Sequence, residues 1–204
     1  MVADPQALAL LREQLDESQS RDLTVFLAQL MLRVGGDDAI PILVSMAREA
    51  PDEEKRSAIL DALSISGVSA PAVEDMYLDC LASPAASVRL SGIVGLQRLS
   101  PETVARRLPR LLSMVADPDL DVRVAVLSAL AHADMLDVSP AATQALDALI
   151  VHPDPTFRAA GILALCEQKD AAGVGAALVP FLKDPSDIVQ LQALHGLDRV
   201  LIDA

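Results

Sequence analysis

Three histidines, two cysteines and one acid–arginine pair are the residues here that could do chemistry. His132, His152 and His195 stand in the contexts AHA, VHP and LHG. None lies in an H-E-x-x-H pattern, which would bring two imidazoles to one helix face for zinc, and none stands beside a glutamate. No metal site is expected. Cys80 and Cys166 have no histidine near them in sequence, so nothing local would hold either as a ready thiolate. They are expected to be small apolar packing residues. No G-x-S-x-G elbow occurs, and "GVGAAL" from Gly173 lacks the Lys-Ser and preceding strand of a phosphate loop. Without a catalytic set or a cofactor motif, the chain reads as non-enzymatic.

The remaining candidate is Asp117 with Arg123, six residues apart in "DPDLDVRVAVLSAL". The same pattern recurs in "PDEEKRSAILDAL" from Pro51, "PAASVRLSGIVGL" from Pro84, "PDPTFRAAGILAL" from Pro153 and "PSDIVQLQALHGL" from Pro185. Successive prolines are 33, 34, 35 and 32 residues apart, counting Pro118 between Pro84 and Pro153. Five residues after each proline stands Arg56, Arg89, Arg123, Arg158 and finally Gln190. Twelve after each stands Leu63, Leu96, Leu130, Leu165 and Leu197. A feature repeated in register at this period belongs to a repeat architecture, not to a single active site.

Each repeat must position its residues with two helices. The segment before each proline is apolar at helical spacing, as in "DDAIPILVSMAREA" and "PETVARRLPRLLSMVAD". The proline ends that helix by disfavouring the α conformation in the residue before it. Asp52, Asp119, Asp154 and Ser186 follow as N-caps of the second helix, and Ala85 breaks the series. Small residues recur eight and eleven positions after the proline, including Gly92, Gly95 and Gly161, which lets helices approach closely. Units this short cannot bury both faces alone, so they stack. The expected fold is all-α, a right-handed α-solenoid of about six helical pairs. Residues 1–204 form one domain, with 1–36 a degenerate capping pair and 37–204 five repeats.

Bulk composition agrees. Hydrophobic residues make up 52% of the chain and aromatics 2%, so the core must be aliphatic. The formal net charge of −13 disfavours nucleic-acid binding, which needs converging cations. The basic run Arg106, Arg107 and Arg110, with Arg98 before it, is expected to be a solvated face. No apolar run reaches the roughly 18 residues of a membrane span. The acidic N-terminus is not expected to be a signal peptide, and from cysteine usage a reduced, cytoplasmic setting is expected.

The pattern D-P-x-x-x-V-R followed by small residues and A-L resembles the HEAT repeat, in the short form also seen in phycobilisome lyase subunits. "DPDLDVRVAVLSAL" carries it best, and the resemblance covers roughly residues 39–203. It implies a ladder in which the aspartate and arginine link adjacent repeats: Arg56, Arg89, Asp117, Arg123, Arg158 and Asp184. Ala50, Ser83 and His152 replace the aspartate in the other copies, so the ladder is expected to be partial. The resemblance also implies a protein-binding scaffold. A lyase-type subunit acting on a chromophore-carrier protein, or a HEAT-like nucleic-acid binder, is the alternative. The His-Glu pairs of HEAT-built iron hydroxylases are absent.

At 100° per residue, positions six, ten, thirteen and fourteen after each proline oppose the core side of the second helix. In HEAT-like stacks these line the concave face. They include Ser57, Asp61 and Ser64; Leu90, Val94 and Gln97; Val124, Ser128 and His132; Leu163 and Glu167; and Leu191, His195 and Arg199. Leu90, Val94, Val124, Ser128, His132, Leu163, Leu191 and His195 are the candidate partner-binding residues. Aliphatic side chains on a solvent face commonly mark protein-binding surfaces. The apolar C-terminal stretch Val200, Leu201 and Ile202 suggests weak self-association.

Overall fold

The structure, a computed structural model, describes residues 5–135, 139–168 and 171–202, with side chains for all of these except 171, 172 and 200–202. The described residues form helices and connecting turns, with no strand among them. The chain groups into two compact units, Met1–Leu99 and Ser100–Ala204.

The first unit holds α1 (Pro5–Glu17), α2 (Arg21–Gly35), α3 (Ala39–Glu49), α4 (Glu53–Ile65), α5 (Pro71–Cys80) and α6 (Ala86–Leu99). Its second helices form one layer, α2 against α4 and α4 against α6. Helices α1, α3 and α5 form the other layer, each packed on its own partner. The second unit holds α7 (Pro101–Arg106), α8 (Leu108–Leu112), α9 (Leu120–His132), α10 (Pro140–Ile150), α11 (Pro155–Leu165), α12 (Ala171–Leu178) and α13 (Asp187–Ile202). There α9, α11 and α13 make the corresponding layer.

Local chemistry sets the helix starts. The carboxylate of Asp52 accepts from the Lys55 amide at 2.8 Å, and that of Asp119 from the Val122 amide at 3.1 Å. Asp154 accepts from Thr156 at 2.8 Å. Each satisfies an amide that the first turn leaves without a helical partner. Pro155 begins α11, where a missing N–H costs nothing.

The core lies between the layers and is aliphatic. Leu63, Leu96 and Leu130, at the same repeat position, are completely buried. Truncating such a leucine to alanine costs about 2–5 kcal/mol. Tyr77 is the largest buried side chain, and its hydroxyl donates to the Leu60 carbonyl at 3.3 Å. Gly95 makes room for it, because a Cβ there would clash with the nearest atoms of the Tyr77 ring. Gly161 plays the same part in the second unit, against Leu149 and Ile150 of α10. The recurrent small positions therefore do bring helices of a pair together.

Two first helices are less regular than the spacing predicts. "PETVARRLPRLLSMVAD" was expected as one helix, but it divides at Arg107 into α7 and α8. Pro109 explains the break: it has no N–H, and its ring crowds the carbonyl of Ala105 four residues back. The helix before Pro185 likewise gives way, with Val179–Lys183 forming a 3₁₀ segment that contains Pro180.

Candidate functional site

The acid–arginine motif builds a turn. Arg123 Nη1 donates to the carbonyls of Asp117 and Pro118, at 2.6 and 3.3 Å. Arg89 makes the same fork to Ser83 and Pro84, at 3.1 and 2.9 Å, and Arg158 to His152 and Pro153, at 2.8 and 2.9 Å. Gln190 keeps half of it, donating to the Asp184 carbonyl at 2.7 Å. These carbonyls lie just beyond the first helix, and the guanidinium fork satisfies two at once.

The residue before the proline closes the same turn from its side chain. Asp117 Oδ1 accepts from the Asp119 amide at 3.0 Å, and Asp184 Oδ1 from Ser186 at 2.9 Å. Ser83 Oγ accepts from Ala85 at 3.2 Å, and His152 Nδ1 from Asp154 at 3.1 Å. Ser83 and His152 break the aspartate pattern in sequence, yet they do its work. An acceptor two or three bonds from Cα is what the turn needs, and all three residue types supply one.

Links between successive repeats vary in chemistry. Arg158 reaches the Asp184 carboxylate with two bonds, Nε at 2.9 Å and Nη2 at 2.8 Å. Arg123 lies over the Phe157 ring of the next repeat at 5.4 Å, and that ring stacks on His152 at 4.2 Å. At Arg56 the buried Nε has no hydrogen-bond partner. The motif thus serves the fold, and the chemistry of interest lies on the open side of the second helices.

In the first unit that side carries a groove of about 460 Å³ across α2, α4 and α6. Leu90 and Val94, half-buried, line it with Ile65, which is exposed. Its floor is polar: Ser57 and Ser91 share a hydrogen bond of 2.8 Å, and Ser91 Oγ donates to Asp61 Oδ1 at 3.0 Å. Asp61 Oδ2 is ion-paired with Arg21. Ser64, also lining the groove, is 6% exposed and its hydroxyl has no partner. Arg98 completes the lining at the end of α6. Arg98 stands fourteen residues after Pro84, a face position in the repeat register, although its sequence neighbours Arg106 and Arg107 suggested a basic run instead. Arg21 precedes the first clear repeat and gave no sequence signal.

In the second unit, Leu163 and Leu191 are exposed, with His132 and His195. Ser128 is half-buried. Val124 is 9% exposed, so it belongs to the packed surface of α9 and is not available to a partner. The reason is that α9 is apolar nearly all round, with eight of its thirteen residues buried. The fourteenth positions of three repeats meet: Glu167 accepts from Arg199 at 2.7 and 3.3 Å and lies 3.9 Å from His132 Nδ1.

Both thiols are buried. Burial pushes the Cys80 thiol up to about 11, against a smaller opposing effect of Arg56. Burial also raises Cys166. Among the described residues no group of three His, Cys, Asp or Glu could hold a metal ion. No described helix is long and apolar enough to cross a membrane. The stretch Val200, Leu201 and Ile202, expected to promote self-association, has side chains outside the described residues.

No protein-family model matches the chain, and no curated protein matches it. Solved structures do. An engineered protein aligns over 98% of both chains with a TM-score of 0.57 at 15% identity. A designed armadillo repeat protein aligns over 96% of this chain and 99% of its own, with a TM-score of 0.52 at 14% identity. A HEAT-like repeat protein from the archaeon Thermococcus onnurineus NA1 covers 98% of this chain and 100% of its own, with a TM-score of 0.48 at 16% identity. With the helical pairs and the repeating turn, the chain has the all-α solenoid fold of armadillo-type repeats.

Proposed function

We propose that this chain is a non-enzymatic interaction module that holds another protein against the open face of its second helices. The groove of the first unit carries the proposal, since it gathers Leu90 and Val94 with a fixed polar floor. Half-exposed aliphatic side chains beside oriented hydrogen-bonding groups are the usual make-up of a protein-binding patch. Leu163 and Leu191 give the second unit exposed apolar positions of the same repeat register. This face is the one expected to be concave in a HEAT-like stack.

The test is affinity capture from the source organism with wild-type chain and the Leu90→Asp/Leu163→Asp double variant. The variant is expected to lose the captured partner while its helical circular dichroism is unchanged. Equal capture by both proteins would remove this face as the binding surface.

A further inference from the structure

The groove of the first unit has an uneven charge, and that points to what fills it. Asp61 is fully engaged, one carboxylate oxygen with Arg21 and the other with Ser91. Arg98 lines the same groove and, among the described residues, has no hydrogen-bonding or ion-pairing partner. The lining therefore carries two guanidinium groups and one carboxylate, within a chain of net charge −13. Ile65, Leu90 and Val94 supply an aliphatic surface in the same groove.

We infer that this groove receives an extended segment of a partner protein, with aliphatic side chains on Leu90 and Val94 and a carboxylate on Arg98. The inference rests on the proposed function above and specifies the occupant. Size agrees with it. Three helices in one layer, each about 8–10 Å from the next, span roughly 20 Å, which is the reach of about six extended residues. Alternate side chains of such a segment point the same way, so aliphatic and acidic residues two apart would face the groove together. A guanidinium pairs well with a carboxylate because its planar fork can donate two parallel bonds.

The probe is a fluorescent hexapeptide in which leucines alternate with serines and the last alternating position is aspartate. Its binding to the full chain, followed by anisotropy, is compared with asparagine and lysine versions. The aspartate peptide is expected to bind roughly tenfold more tightly than the asparagine one, the worth of one charge-assisted hydrogen-bonded pair. Arg98→Glu should reverse the order in favour of lysine, and Arg98→Lys should keep it with a smaller margin. Arg98 is exposed, so neither substitution disturbs the core. Equal affinity for all three peptides, with binding still lost in Leu90→Asp, overturns the carboxylate assignment and leaves the proposed function standing. No binding of any peptide overturns the inference, and partner capture by the double variant then judges the proposed function separately.

Discussion

Arg158 and Asp184 meet side-on across two repeats, with Nε and Nη2 of the guanidinium each donating to a different carboxylate oxygen, at 2.9 and 2.8 Å. Both side chains are largely covered, and Asp184 also accepts from the Ser186 amide. One carboxylate thus ties the fourth repeat to the turn of the fifth.

That arrangement makes stability depend on pH. The bonds from Arg158, above all, hold the Asp184 carboxyl below its ordinary value, and the Ser186 amide adds to the effect. A depressed carboxyl contributes stability that is present above its unfolded value, near about 4, and lost as pH falls through the folded one. Asp184→Asn should therefore lower the melting temperature at neutral pH, and the two proteins should converge as pH falls through the depressed folded value and the acid becomes protonated in both states. Melting curves separated by the same interval at every pH would show that this pair does not set the acid limb.

Gly95 is the residue whose enlargement should hurt most for its size. A Cβ at this position would clash with the Tyr77 ring, which is buried and anchored through its hydroxyl to Leu60. Gly95→Ala is expected to destabilise by about 1–3 kcal/mol, the usual result of overpacking, despite the better helix propensity of alanine. Urea denaturation measures it. A midpoint at or above wild type would mean that Tyr77 has room to move.

Ser64→Ala should act in the opposite direction. The Ser64 hydroxyl is buried in α4 with no hydrogen-bond partner, and alanine is the better helix former. Stabilisation of about 1 kcal/mol is expected, since a buried polar group without a partner is lost. A destabilised variant would show that the hydroxyl has a bond that the apolar methyl cannot replace.

The thiols offer a check on burial. With Cys80 pushed up to about 11, its thiolate population at pH 8 is roughly a hundredfold below that of a free cysteine. Cys166 is shifted in the same direction by burial. Ellman's reagent should label the native chain slowly and both cysteines promptly in concentrated guanidinium chloride. Prompt labelling of the native chain at pH 8 would place at least one thiol in contact with solvent.

The repeat register, most second-helix boundaries and the core leucines were legible in the residues because their causes are local. A proline ends a helix, an aspartate caps the next, and leucine recurs at a helical period. Leu90 and Val94 could be assigned to the open face on periodicity alone, since a helix face depends only on 100° steps. Other features needed distant chain segments to meet. Val124 has the periodicity of a face residue, yet packing of α9 buries it. Ser83 and His152 differ from aspartate in type, and only the folded turn shows that their acceptor atoms fall in the same place. Asp61 is one acid among many until Arg21, forty residues earlier, is brought against it. Arg98 reads as part of a basic run along the chain, yet it follows Leu90 and Val94 at four-residue steps on one face of α6, and stacking of α4 against α6 adds Ile65 to the same groove. Local rules make the helices, but the charge and shape of the groove arise from which helices stack, and that depends on contacts far apart in the chain.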